Sequence, residues 1–171
     1  RGLGDVYKRQ DSSVQKALQN RIDNGNYYKN DDQQVGSTIV DSKSGALVAI
    51  SGGRHFKDVV DRNQATDAHP TGSSLKPFLA YGPAIENMQW ATNHELQDEA
   101  AYMVDGTTFR NYDTKSHGNV SLYDALRQSF NIPALKAWQQ TKQNAGQDAP
   151  KKFAKQVGLE YQGEILSLIH I

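Results

Sequence analysis

Apolar residues recur every three to four positions between Asp11 and Asn24, where Val14, Ala17, Leu18 and Ile22 form one stripe. This spacing predicts a helix that Ser12 or Ser13 caps and Gly25 ends. A polar link follows, and then "VGSTIVDSKSGALVAISGG", with β-branched residues on two arms around the turn formers Asp41 to Gly45. That pattern predicts a β-hairpin. Polar loop is expected to about Thr71, then a helix from near Ser73 through "LKPFLAYGPAIEN", bent at Gly82-Pro83. Residues 88–118 read as loop, with a weak strand signal around "AAYMV". "NVSLYDALRQSF" has the clearest helical pattern. Ser121 and Asp124 stand at capping-box spacing, and Leu122, Ala125, Leu126 and Phe130 share a face. Pro133 suits the first turn of a further helix, "PALKAWQQTK", and Asp148 caps a last one that stops at Gly158. The expected class is α+β with a helical majority.

Composition narrows the functions open to such a chain. Its 171 residues suffice for a domain with a real core. Nineteen basic residues balance nineteen acidic ones, so nothing in the charge favours nucleic acid or an anionic membrane as partner. No apolar run approaches bilayer length, and no signal peptide is recognisable. Cysteine is absent, which excludes disulfides and thiolate chemistry. His55, His69, His94 and His117 show no metal-ligand spacing, so no metal is expected.

The two ends share one DNA word. Asp5–Gln10 can be encoded as GAT GTG TAT AAG AGA CAG, whose reverse complement, CTG TCT CTT ATA CAC ATC, reads Leu-Ser-Leu-Ile-His-Ile, the sequence of Leu166–Ile171. Residues 1–10 and 166–171 therefore read as translated sequencing-adaptor tails, and residues 11–165 as the native segment, cut at both ends.

Candidate chemistry centres on "HPTGSSLKPF". Ser73 and Lys76 are three apart and share a helix face. Pro77 is comfortable only in a first turn, because its ring would clash with the carbonyl of Ser73 deeper in a helix. Ser73 thus belongs at a helix N-terminus, where free N–H groups support an oxyanion. A buried Lys76 would lose its proton near neutral pH and serve as base toward Ser73. With twelve serines and twelve lysines, about one such spacing arises by chance. Indeed Ser13-Val14-Gln15-Lys16 is a second copy, without the glycine and proline, and reads as a cap and a solvated lysine. Ser129-Phe130-Asn131 is the second element, between two helices: taken alone it reads first as a helix C-terminus finished by Ser and Asn, and a connector of this kind can also point a hydroxyl and an amide into a cleft.

"GGR", "NQAT", "TGSSLKPF" and "SLYDALRQSFNIPAL" occur in this order over residues 11–165. In combination they resemble the transpeptidase domain of class A, bifunctional penicillin-binding proteins, of the type found in low-GC Gram-positive cocci. The resemblance implies the N-terminal part of a penicillin-binding/β-lactamase-like fold, a hairpin of an antiparallel sheet plus a helical subdomain. It implies Ser73 as nucleophile, Lys76 as general base, Ser129 as proton shuttle and Asn131 as the holder of the substrate amide. Peptidoglycan stem peptides and β-lactams would be the partners, with no cofactor. The parent would lie on the extracytoplasmic face of the membrane, with an N-terminal anchor and a glycosyltransferase domain outside the present sequence.

That family's third motif, Lys-[Ser/Thr]-Gly, is expected beyond residue 165. Lys43-Ser44-Gly45 matches the letters but precedes the nucleophile and falls in the hairpin turn, so it is rejected. Without the genuine motif one oxyanion donor is lost, a cost of about 10²–10³ in rate, and the fragment is expected to be inactive or nearly so. Two rivals share the fold: a serine β-lactamase, and a non-catalytic β-lactam sensor or cell-wall-binding module. A class A lactamase deacylates with a glutamate after Ser-x-Asn, and none occurs between Asn131 and Leu159. His55 stands where the family more often has an acidic residue.

Overall fold

Asp11, not a serine, caps the first helix. In the computed structural model, which describes residues 10–56, 62–68 and 71–160, helix α1 spans Ser12–Asn24. The Asp11 carboxylate accepts from the amides of Ser13 at 2.8 Å and Val14 at 3.2 Å. A carboxylate there offers more acceptor capacity than a hydroxyl and also meets the positive end of the helix dipole. Gly25 ends α1 for a reason other than a left-handed cap: a Cβ there would lie 2.1 Å from the Tyr27 ring, and its φ is −68°.

The chain divides into two units between residues 69 and 70. In the first, strands β1 (Ser37–Val40) and β2 (Leu47–Ser51) form the expected antiparallel hairpin, Ser37 facing Ser51, with a bulge between Ile39 and Val40. Two glutamines one turn apart tie α1 to the free edge of β2. Gln15 exchanges hydrogen bonds with the backbone of Ile50, and Gln19 takes the Ser51 hydroxyl and donates to the carbonyl of Gly53. Helix α1 thus uses polar side chains where a third strand would have used backbone. Ala17, expected in its stripe, faces solvent, while Ile22 is buried.

The second unit begins with a helix of changing pitch. A 3₁₀ turn (Gly72–Leu75) passes through Lys76 into a π turn (Pro77–Tyr81) and then into α2 (Gly82–Met88). Pro77 explains the sequence of pitches. It has no N–H for the carbonyl of Ser73, which instead accepts from Lys76, and its own carbonyl accepts from Gly82 five residues on. The position of the expected bend, Gly82-Pro83, is where the wide pitch gives way to the normal one.

Loop is expected over much of 88–118, yet the chain builds three short strands there and a fourth from Gly118, and only the one at Tyr102–Val104 falls on the weak signal of "AAYMV". β3 (Glu95–Asp98) pairs antiparallel with β6 (Gly118–Ser121), and β4 (Tyr102–Val104) pairs with β5 (Thr107–Phe109). Asp105 and Gly106, at φ +48° and +78°, make the tight turn of the second pair. Asn119–Ser121, read as helix, is strand, and α3 runs only from Leu122 to Arg127. Ser121 caps it as expected, accepting from the Asp124 amide at 3.0 Å and donating to the Asp124 carboxylate at 2.8 Å. Leu126 is exposed, and Phe130 has left the helix.

Helix α4 (Asn131–Ala145), with Pro133 in its first turn, and α5 (Ala149–Gln156) complete the unit. Asp148 caps α5 by its carbonyl, not by its side chain. Leu79, Tyr81 and Ala84 pack with Leu96, Phe109, Leu122, Ile132, Leu135 and Trp138 into one core. Most of the two tails lies outside the described residues, as do His69 and residues 57–61.

Candidate active site

Three elements of the second unit converge on one amine. Lys76 leaves the 3₁₀ turn and is 2 % exposed. Its Nζ donates to the Ser129 carbonyl at 2.7 Å, the Ser129 hydroxyl at 3.2 Å and Asn131 Oδ1 at 2.6 Å. Among the described residues no carboxylate pairs with it. Burial without a counter-charge makes the ammonium costly, and it lowers the Lys76 pKa to about 8.

Ser73 lies on the same turn and is half-buried, while Ser74 is exposed and spends its hydroxyl on the Thr71 carbonyl at 2.6 Å. Among the described residues no hydrogen bond joins the Ser73 hydroxyl to the Lys76 amine. The chemical reason is that an ammonium has three protons and no lone pair, and Ser129 and Asn131 supply three acceptors. Only the neutral amine has a lone pair to offer the Ser73 hydroxyl. In the rejected pair Ser13 is not the cap but a first-turn residue whose hydroxyl donates to the capping Asp11, and Lys16 is exposed. Lys43-Ser44-Gly45 lies in the hairpin turn, with Ser44 held by Asp41 and Gly45 at φ +69°.

Ser129 reaches Lys76 through its backbone conformation. The Phe130 amide bonds to Ala125 O and the Ser129 amide to Leu126 O, which places Ser129 at the left-handed position that closes α3. Glycine usually fills such a position, yet Ser129 holds φ +56°. The left-handed turn swings its carbonyl and hydroxyl together toward the amine.

Asn131, the first residue of α4, is held from outside the Ser-x-Asn segment. Its Nδ2 donates to the Arg110 carbonyl at 2.8 Å, leaving Oδ1 for Lys76. Its amide donates at 2.7 Å to Oδ1 of Asn111, which also accepts from Ile132 N at 3.3 Å. Asn111 in turn donates to both oxygens of Asp98 at 2.8 Å. His117 bonds through Nδ1 to Asp98 at 2.7 Å, approaches Asp113 at 3.0 Å through Nε2, and stacks on Phe130 at 4.1 Å. The hydrogen bond to Asp98 raises the His117 pKa against the effect of burial. Sequence reasoning missed Asn111, Asp98 and His117. The available signal was the alternation of Leu96 and Asp98 on β3, which turns an acidic residue inward.

The site thus brings together Lys76, Ser129 and Asn131, with Ser73 one short turn from the amine. The penicillin binding protein transpeptidase domain matches residues 35–167. The chain is 38 % identical over 156 residues to penicillin-binding protein 1A/1B of Bacillus subtilis, covering 90 % of this chain and 16 % of that protein. It is 34 % identical over 164 residues to penicillin-binding protein 1A of Streptococcus oralis, covering 92 % and 25 %. The chain therefore spans at most a quarter of the length of these relatives. Among solved structures it is similar to PonA1 of Mycobacterium tuberculosis in complex with penicillin V. The TM-score is 0.68 at 19 % identity, over 98 % of this chain and 44 % of that one, a likeness of fold. Penicillin-binding protein 1A of Haemophilus influenzae gives a TM-score of 0.62 at 28 % identity, over 79 % and 20 %. The chain belongs to the transpeptidase-domain family of penicillin-binding proteins, in its class A branch.

Proposed function

We propose that this chain carries the acylating half of a D,D-transpeptidase active site. The observation that carries the reading is the buried Lys76 amine, free of any counter-ion among the described residues and held between Ser129 and Asn131. Neutral Lys76 takes the proton of Ser73 as Oγ attacks the penultimate D-Ala carbonyl of a stem peptide. Ser129 passes a proton to the leaving amine, D-Ala departs, and an amine on a neighbouring strand resolves the acyl-enzyme. Asn131 holds the substrate amide. β-Lactams acylate the same serine and stay.

The active protein in this reading is longer than residues 11–165. It includes a Lys-[Ser/Thr]-Gly strand that supplies an oxyanion donor, an upstream glycosyltransferase domain, and a membrane anchor that places it on the extracytoplasmic face. The native segment alone turns over little or no substrate. The lack of glutamate between Asn131 and Leu159 favours a long-lived acyl-enzyme over turnover of the class A lactamase kind, while a lactamase based on a modified lysine stays a separate alternative.

Labelling the full-length protein with a fluorescent penicillin tests the assignment. Ser73→Ala abolishes labelling, whereas Ser74→Ala and Ser13→Ala retain it. Labelling that survives Ser73→Ala overturns the reading.

A further inference from the structure

Helix α4 begins without a cap of its own. Its N-cap residue is Phe130, which has no side-chain acceptor, so the first amides of α4 must find one elsewhere. Asn111, twenty residues earlier in the chain and 2 % exposed, supplies it by accepting from both Asn131 N and Ile132 N. The amide of Asn111 has only one workable orientation. The Asp98 carboxylate accepts and does not donate, so it must face Nδ2, and Oδ1 must then face α4. Asp98 is itself buried, 1 % exposed, and is held by the His117 amide and ring.

The neighbouring residue completes the clamp. The Arg110 carbonyl takes Nδ2 of Asn131, which leaves Asn131 Oδ1 pointing at Lys76. Two consecutive residues thus fix the main chain and the side chain of Asn131 together. An ordinary helix cap would do only the first.

We infer that Asn111, locked by Asp98, is a positioning residue that holds Asn131, and with it the amine of Lys76, in the geometry needed for acylation. The inference rests on the transpeptidase reading above and adds to it a residue outside the Ser-x-x-Lys and Ser-x-Asn motifs. Asn111 touches neither Lys76 nor substrate in this scheme, and it acts through Asn131.

The test uses the full-length protein and the second-order rate constant for acylation by a fluorescent penicillin, followed as a function of pH. Asn111→Ala should slow acylation roughly 10- to 100-fold, the scale of a misplaced reacting group. It should also move the ascending limb of the pH profile downward, because the Lys76 ammonium loses an aligned acceptor. Asn111→Asp isolates the contact with Asp98. A carboxylate at 111 still accepts from the α4 amides but now faces a second carboxylate, so acylation slows. Adding Asp98→Asn restores a donor opposite it, and the double variant should return to within about threefold of wild type.

A wild-type rate in Asn111→Ala overturns the inference, as does a loss that follows thermal stability with the limb in place. Should Asn111→Ala not fold, the Asn111→Asp pair decides: recovery in the double variant supports the inference and its absence overturns it. Ser73→Ala separates the two levels. Labelling that survives it removes the transpeptidase reading itself, whereas Ser73-dependent labelling indifferent to Asn111 removes only the positioning role.

Discussion

Lys76 Nζ lies 2.6 Å from Asn131 Oδ1, across 55 residues of chain, and the contact joins a charged group to a neutral amide. An aspartate there would hold the proton on the amine, whereas an amide aligns it without binding the charge strongly. With its pKa lowered to about 8 by burial, Lys76 is partly neutral near physiological pH.

Acylation should follow that neutral fraction. In the full-length protein the acylation rate constant should rise about tenfold per pH unit below pH 8 and level off above it, since only the free amine accepts a proton. A flat profile between pH 6 and 9 would exclude Lys76 as the base. Lys76→Arg keeps the charge at every working pH and should lose roughly 10²–10⁴-fold.

Ser129 separates backbone from hydroxyl. Its left-handed φ suits glycine, so Ser129→Gly should unfold at a temperature equal to or above that of Ser129→Ala, by an amount worth about 1 kcal/mol. Both variants lack the hydroxyl beside Lys76 and should transfer protons poorly, with acylation down roughly 10- to 100-fold. Thermal unfolding together with labelling kinetics checks both halves. A fully active Ser129→Gly variant would leave the shuttle role without support.

Much of this site was legible because the chemistry is local. Ser73, Lys76 and Pro77 sit within five residues, and Pro77 alone restricts where the helix can start. The hairpin was legible for the same reason, as its turn formers and alternating arms are contiguous. What escaped was set by distant partners. β3 and β6 are four residues each and gain their hydrogen bonds across about twenty positions, so neither has a strong pattern of its own. Asp98 and Asn111 look like loop polars until the strand pairing buries them. The Asp105-Gly106 turn carries turn-forming residues, but the strands beside it are three residues long and hold too little pattern to predict the pair.

Gly82 should tolerate no side chain. A Cβ there would lie 2.5 Å from the Phe153 ring and 2.6 Å from the Pro77 carbonyl. The ring could rotate away, but the carbonyl is fixed as the acceptor of the Gly82 amide in the π turn. Gly82→Ala should therefore destabilise the complete domain by about 1–3 kcal/mol, measured by denaturant unfolding. Adding Phe153→Ala should not recover it, and full recovery would place the clash in the ring alone.

The lowered pKa of Lys76 also has a cost in folding, with a definite sign. The unfolded lysine releases its proton near 10.5 and the folded one near 8. Between those values the unfolded chain binds a proton that the folded chain has lost, so stability rises with pH across this window. Below pH 8 both states carry the proton and the penalty is at its full size, up to about 3 kcal/mol for a shift of this extent. Lys76→Met fills similar space without the charge, so at pH 7 that variant of the complete domain should be the more stable protein. Its advantage over wild type should shrink as pH climbs from 8 toward 10.5. Every other ionisable group is common to both proteins and cancels in the difference. Denaturant unfolding at pH 7 and pH 10 measures it, and a difference that does not change with pH would mean that the folded amine keeps an ordinary affinity for its proton. On the proposed mechanism, stability given up at neutral pH is the same free energy that leaves Lys76 ready to accept a proton from Ser73.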